Sequence, residues 1–597
     1  MNEKPKTFWQ KSWPTPPWFR IWAILLALAL VVMTYLIASR SFGLPDWPTV
    51  IILTVFSMIA ATLLLVFWFF VRWFCWFCWH HWRRALFLLA CLVTVIALFY
   101  AEEDWRGWHA WDQYRRAGEA RGEHFDLASL VPPPVPDDQN FALSPIIYSI
   151  YGSYFDPSSH EIRQYTTNVV KRLNLDSWWA HYDATNLTGD WTRSVPTDFH
   201  GMQQFYRNLA AKTNLFPVPA IPQSPAADVL LALNQFNPVI EELRQASQLP
   251  ESRFPLGYDQ DEILLPHLGA LKETALFLRI RAIAELQTGQ VSQALTDVAL
   301  MERLVDSVRT EPILISHLVR LSMVKIMLQP VWEGLADHQW SEAQLVELGA
   351  GLAKFDFAAD YKLGVHGERA LLIQEIRYLR DHPKQHPDGI PLGVNSEYIQ
   401  SLSFQWLILS QFHLVPAGWY YQNQLHCARL MDQYLAAASQ ATHAFSPGLA
   451  AQAKAILQNE RRHVSAYNTL ECFLLSIMEQ FSGPDGMVFS FAQGQSSVDL
   501  ARVAIALERY RLAHGQYPES LAMLDPQYLN PVPNDVIGGQ PLHYRLAPDG
   551  QFVLYSIGWN QQDDGGVVVS TKGSDPRSEE PGSVHSQGDW VWRYPAK

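Results

Sequence analysis

Four groups of residues carry types and spacings that could do chemistry. Cys75-Trp-Phe-Cys78-Trp-His80-His81 offers two thiols and two imidazoles in one short run, the donors that Zn²⁺ and iron take. No second ligand pair follows at a regular spacing, and bulky aromatics separate the donors. The run therefore reads as buried thiols beside an aromatic belt at a membrane interface. Glu460-Arg-Arg-His463 has the Glu-x-x-His spacing of a di-iron helix. That site needs two such pairs and two further glutamates, so a surface Glu–His pair is expected. His382 and His386 stand with Asp381 and Asp388 in a segment broken by Pro383 and Pro387, which reads as a solvated turn. Cys427 and Cys472 could pair in an oxidising compartment, but nothing in the sequence brings their Cα atoms together, and unpaired thiols are expected. His-Glu-x-x-His, Gly-x-x-x-x-Gly-Lys-Ser/Thr and Gly-x-Ser-x-Gly are all absent. No catalytic and no cofactor-binding residue is assigned on this basis.

The elements that would carry these residues begin with three apolar runs, Ile21–Ser39, Val50–Val71 and Ala85–Ala101. At 1.5 Å per residue each approaches the roughly 30 Å of a bilayer's hydrocarbon core. Lys4, Lys6, Lys11 and Arg20 precede the first run; Arg72, Arg83 and Arg84 lie between the second and third. Glu102, Glu103 and Asp104 follow the third at once. Basic flanks stay cytoplasmic, so the pattern predicts a three-helix anchor with the remaining chain outside. If the third run does not cross, that remainder is cytoplasmic instead. Trp13, Trp18, Trp22, Trp47, Trp68, Trp73, Trp76, Trp79 and Trp82 crowd the predicted water–lipid boundaries. No Asp, Glu, Lys or Arg interrupts any run, which argues for an anchor rather than an ion path. A cleaved signal peptide fits poorly, because no small-residue cleavage site precedes Gly43-Leu44-Pro45.

Beyond the anchor, the chain is long enough for a large core and more than one domain. A formal net charge of −13 argues against nucleic acid as a partner. Residues 102–227 read as a polar helical stalk, a proline-rich strap at Leu130-Val-Pro-Pro-Pro-Val-Pro-Asp-Asp138 and an irregular segment. Residues 228–495 read as an α-helical domain. Leu264–Leu286 and Val291–Val308 have helical periodicity, and Gly289 suits a left-handed stop between them. A further helix starts near Pro312, and Ser341 with Gln344 makes a capping box for the next. Helices then cover Leu371–Leu379 and Met431–Leu470. In residues 496–597 an amphipathic helix, Val498–His514, ends at Gly515. Apolar alternation over His543–Ala547 and Phe552–Ile557, around Pro548-Asp549-Gly550, predicts a hairpin.

Ala504-Ile-Ala-Leu-Glu-Arg-Tyr-Arg-Leu-Ala-His-Gly-Gln-Tyr-Pro518, Pro-Val-Pro-Asn-Asp535, Gly-Gly-Gln-Pro-Leu-His-Tyr544 and Tyr555-Ser-Ile-Gly558 together resemble the C-terminal globular domain of type II secretion major pseudopilins. The resemblance covers about the last sixth of the chain and implies a small α+β module of a helix on an antiparallel sheet. It also implies calcium held by acidic late loops, which by position are Asp563, Asp564 and Asp589. Ca²⁺ wants six to eight oxygens, which carboxylates at Gly-rich turns can supply; the same residues also serve as ordinary turn formers. A pseudopilin opens on a Gly-Phe-Thr-Leu-x-Glu-like leader, whereas here three apolar runs stand, so a pilus subunit is not expected. The soluble part as a whole is similar in layout to uncharacterised bacterial multi-pass membrane proteins.

The expectation is a mainly α, membrane-anchored protein with three N-terminal transmembrane helices, a large helical soluble domain and a small C-terminal α+β module. It would sit in the bacterial inner membrane, its large domain extracytoplasmic, and contact the lipid bilayer and envelope proteins in a binding, assembly or secretion-related role. The alternative is a membrane-anchored envelope hydrolase with its site in the helical domain.

Overall fold

The computed structural model describes scattered residues between 24 and 35, then 47–156 except 153, 161–163, 172, 173, 175 and 187–213. It continues over 216–382 except 220, 222 and 259–262, then 415–462, 486–567 and 588–595. His386, Asp388, His463 and Cys472 lie outside these residues, as do the side chains of Cys75, Cys78, His80, His81 and Glu460.

The chain divides into two units, Met1–Glu102 and Glu103–Lys597. In the first, α1 (Trp47–Glu119) begins. It runs unbroken through residues 72–84, where the sequence analysis places a connecting loop. Two crossings by Val50–Val71 and Ala85–Ala101 need a reversal there, and α1 makes none. Residues 72–84 are Trp, Phe, Cys, His and Arg, with no Gly or Pro to break the helix, so it continues across Arg83 and Arg84. Among the described residues two helical segments are long and apolar enough to cross a bilayer. One is Arg83–Glu119, whose apolar stretch is wholly unburied. The other is Leu314–Ala336, 72% buried, which marks a core helix.

In the second unit the polar end of α1 is no free stalk. A Cβ on Gly107 would collide with the Gly418 carbonyl, and one on Gly418 with that of Glu103, so only glycines let these backbones touch. Glu103 Oε2 accepts from Trp419 Nε1 at 3.0 Å, and Asp104 Oδ1 from the Gly418 N–H at 2.7 Å. Arg369 bridges Glu123 and Asp432, both at 2.8 Å, with its guanidinium over the Phe125 ring.

The body is mainly helical. After α2 (Phe199–Thr213), α3 (Pro225–Leu233) and α4 (Asn237–Ser247) come α5 (Pro266–Gln287) and α6 (Val291–Asp306). The last two form a hairpin turning on Gly289 at φ +77°, with the Gln290 N–H donating to Glu285 O at 2.8 Å. α7 (Leu314–Ala336) is the central rod, packed on α5, α6, α9 (Phe357–Asp381) and α12 (Met487–His514). α8 (Glu342–Leu352) opens with the expected Ser341–Gln344 capping box. The expected helix over Met431–Leu470 is instead two, α10 (Ala417–Leu435) and α11 (Pro447–Arg462). A turn with a two-residue strand pair, Ala438–Ser439 and Ala444–Phe445, divides them where Pro447 begins the second.

The C-terminal segment is continuous with this body. α12 starts well before Val498 and is buried on every side over most of its length, so no amphipathic stripe remains; it ends at Gly515, φ +80°. Counting Tyr154–Asp156 and Glu161–Arg163 as β1 and β2 and the Ala438 pair as β3 and β4, three strands remain. These are β5 (His543–Leu546), β6 (Phe552–Ser556) and β7 (Trp590–Trp592), an antiparallel sheet in the order β5-β6-β7. The register pairs His543 with Tyr555 and Leu554 with Trp592. Gly550, at φ +79°, makes the expected Asp-Gly turn. One apolar core runs from the helices into this sheet, with Trp332, Trp340, Phe491 and Trp592 fully buried within it.

Candidate functional site

Asp563, Asp564 and Asp589 meet at one loop. Asp563 Oδ1 accepts from the Tyr555 hydroxyl at 3.0 Å and the Gly565 N–H at 2.9 Å. His543 Nδ1 lies 3.4 Å from Asp563 Oδ2. Asp564 accepts from Asn560 Nδ2 at 2.8 Å. Asp589, at the start of β7, accepts from the N–H groups of Gly566 at 2.7 Å and Asp564 at 3.3 Å. The Gly565 N–H holds the Asp563 carboxyl below its ordinary range. Burial pushes Asp589 up, against the two N–H groups that favour its charge. Both oxygens of Asp589 are thus committed to N–H donors of the loop it clasps. Among the described residues no three His, Cys, Asp or Glu side chains are grouped to hold a metal ion. On the described residues alone these three carboxylates do not make up a six- to eight-oxygen calcium shell, and residues 568–587, between Val567 and Gly588, lie outside the described residues.

Serine, histidine and acid do come together inside the helical body. Glu311 Oε1 lies 2.9 Å from His267 Nε2, and its Oε2 accepts from the Ser316 hydroxyl. A hydrolytic triad needs the imidazole between hydroxyl and carboxylate; here the carboxylate is in the middle. The Ser316 proton faces an acid that already has a partner, and Ser316 and His267 are both fully buried. His317 donates Nε2–H to the Glu311 carbonyl at 2.9 Å. Burial drives its pKa down to about 3, so it is a neutral core histidine. The group holds the start of α7 to the start of α5.

What the sequence analysis does not single out is a cavity of about 410 Å³ at the C-terminal end of α7. Its walls come from Thr197 and His200 around the start of α2, Ser224 at the cap of α3, Trp332 and Glu333 on α7, and Tyr594 from the tail. The floor is Glu333, 5% exposed. Its Oε1 accepts three bonds: from the Thr197 N–H at 3.0 Å, the Thr197 hydroxyl at 2.7 Å and Gln329 Nε2 at 2.8 Å. Oε2 has no hydrogen-bond partner among the described residues.

Each support of Glu333 has its own anchor. Gln329, one turn earlier on α7, accepts from the Trp191 N–H at 2.6 Å and so pins the Asp190–Thr197 loop. That loop passes so close that a Cβ on Gly189 (φ +71°) would sit 2.6 Å from Gln329 Nε2. Trp332 Nε1 donates to Arg593 O at 3.0 Å, which ties the chain's tail to the same helix.

Burial raises the Glu333 pKa, the three donors oppose the shift, and Asp337 adds to it. Arg279, nearby inside the body, is lowered by burial to about 10, with Glu333 and Asp190 pulling it back up. The site is therefore a pre-formed, net acidic recess with one carboxylate oxygen presented inward. The described residues offer it no activated nucleophile: Thr197 donates its hydroxyl proton to Glu333, and Ser224 Oγ caps α3 by accepting from the Ala227 N–H at 3.3 Å.

The signal for this site lay in Pro330-Val-Trp-Glu-Gly334, which holds the one acid of α7 between apolar neighbours. Its cavity mates, at 197, 224 and 594, are too distant in sequence for spacing to reveal. A search of protein-family models, of curated proteins and of solved structures finds no match to this chain.

Proposed function

We propose that this is a non-enzymatic, membrane-anchored protein of the bacterial inner membrane, whose body, residues 103–597, lies outside the cytoplasm and binds envelope proteins through the Glu333 cavity. The run Ala85–Ala101 is the crossing this reading needs. Arg83 and Arg84 precede it, Glu102, Glu103 and Asp104 follow it, and its side chains are almost all exposed. Three crossings would require α1 to break between residues 72 and 84. The helix on a three-stranded antiparallel sheet at the C-terminus agrees with a pseudopilin-like module, which is why secretion or envelope proteins are the partners proposed.

The observation that carries the binding role is Glu333 Oε2: an acid buried at a cost in stability, turned into a cavity of ligand size and with no nucleophile beside it. A buried carboxylate whose charge is disfavoured gains most from a cation. The matching group is a primary ammonium, the side chain of lysine or the N-terminus of a partner protein. Small amines test this directly. Lysine methyl ester and n-butylamine should raise the melting temperature of the purified protein, while their N-acetylated forms should not. Equal effects from charged and acetylated forms would defeat the assignment. The hydrolase alternative draws no support from the Ser316–Glu311–His267 order.

A further inference from the structure

Two helices begin on the wall of the Glu333 cavity. One is α2, with Thr197, Phe199 and His200 at its start; the other is α3, with Ser224, Pro225 and Ala226. The first N–H groups of a helix have no partner within it and carry the positive end of its dipole. Asp198 precedes α2, and its Oδ1 accepts from the Gly201 N–H at 3.0 Å. The N–H groups of Phe199 and His200 make no hydrogen bond among the described residues. In α3, Ser224 Oγ takes the Ala227 N–H at 3.3 Å and Pro225 has no N–H. That leaves the Ala226 N–H as the donor of this turn without a partner among the described residues.

Glu333 is the second, independent observation. It is 5% exposed, lines the same cavity, and its Oε2 has no hydrogen-bond partner among the described residues. The two features are near neighbours, since the Thr197 N–H bonds Glu333 Oε1 at 3.0 Å and α2 starts two residues later. With consecutive Cα atoms about 3.8 Å apart, the Phe199 N–H stands within roughly 8 Å of that bond. An occupant that meets both needs an ammonium and, a short distance from it, a hydrogen-bond acceptor. A lysine side chain has only methylenes beside its ammonium and would leave the helix starts unmet. The N-terminus of a polypeptide has both, an α-ammonium and the carbonyl of its first residue. A free amino acid carries a carboxylate in place of that carbonyl, which the charges of Asp198 and Asp337 disfavour. The neutral carbonyl meets no such repulsion.

We propose, resting on the amine-binding role of this cavity, that its occupant is the free N-terminus of a partner polypeptide and not a lysine side chain. The α-ammonium sits on Glu333 Oε2, and the first peptide carbonyl accepts from the N–H groups at the start of α2. Phe199, Pro225 and Trp332 leave an apolar wall for the side chain of the partner's first residue. Outside the cytoplasm, removal of a signal peptide creates such N-termini on mature proteins.

The test is calorimetry on the full chain in detergent, with alanyl-alaninamide, its N-acetylated form, N-acetyl-lysine methylamide and n-butylamine as probes. Alanyl-alaninamide should bind about tenfold more tightly than N-acetyl-lysine methylamide or n-butylamine, the gain that hydrogen bonds to its carbonyl imply. Acetylation of its amine should abolish binding. Phe199→Pro removes one N–H from α2 at a position that tolerates proline, and should remove most of the tenfold advantage. Glu333→Gln should weaken all three amines. Equal or tighter binding of N-acetyl-lysine methylamide or n-butylamine overturns the N-terminus assignment and leaves the amine-binding role standing. An advantage that survives Phe199→Pro does the same. Binding of none of the amines, or binding that Glu333→Gln leaves unchanged, overturns both. The ranking of probes needs only the wild-type protein, so it decides the matter whether or not Phe199→Pro folds.

Discussion

At the scale of single residues, Glu333 shows how a functional candidate differs from its structural neighbours. Glu311 spends both oxygens on His267 and Ser316, and Asp589 spends both on loop N–H groups. Glu333 spends one and turns the other to the cavity. Because burial raises its pKa, the folded state holds a proton that the unfolded chain releases at lower pH, and stability falls as pH rises above the ordinary carboxylate range. Glu333→Gln keeps an acceptor for Thr197 and Gln329 and removes the titration. The variant should match wild type near pH 4 and be more stable above it. The gap should widen by up to about 1.4 kcal/mol per pH unit until wild-type Glu333 is ionised. Melting temperatures across pH 4–8 check this; a constant gap would mean that Glu333 does not titrate with folding. A lone Glu among apolar neighbours was visible in the sequence. Its orientation, and two of the three donors on one oxygen, depend on a loop more than a hundred residues away and were not.

At the scale of elements, legibility follows local chemistry. Gly289 and Gly515 end helices through their own backbones and the Ser341–Gln344 box starts one through side chains that bond the adjacent backbone, and each does so in the structure. The Asp549-Gly550 hairpin is likewise local. The expectations that changed are those settled by packing. α12 extends well ahead of Val498 because Phe489, Phe491 and Leu500 are buried against the rest of the body. The polar end of α1 is held down by a glycine–glycine contact whose halves lie some three hundred positions apart. The Asp563–Asp589 loop belongs to this scale too, since Asp589 joins β7 to the turn at Gly565 and Gly566. Asp589→Ala leaves two N–H groups without their acceptor and should cost about 1–3 kcal/mol of stability. Added calcium should leave the wild-type melting temperature unchanged. A calcium-dependent rise that Asp589→Ala abolishes would restore the ion-binding role that the pseudopilin resemblance implies.

At the scale of the molecule, the body, residues 103–597, holds two recesses of opposite character, of about 410 and 210 Å³. One is acidic at the end of α7; the other is basic and aromatic beside α1. Neither recess, on its described residues, shows the hydroxyl–imidazole pairing that nucleophilic catalysis needs. A mainly helical body was legible from periodicity. The number of crossings was not, because apolar length and flanking charge are the same whether residues 72–84 turn or continue as helix.

Everything proposed for partners depends on which side of the membrane the body occupies. Alkaline phosphatase and green fluorescent protein fused in parallel to the C-terminus decide this, since the first is active only outside the cytoplasm and the second fluoresces only within it. Phosphatase activity without fluorescence is the predicted result, and would put the Glu333 cavity where envelope proteins can reach it. Fluorescence without phosphatase activity would contradict the account, placing the body in the cytoplasm.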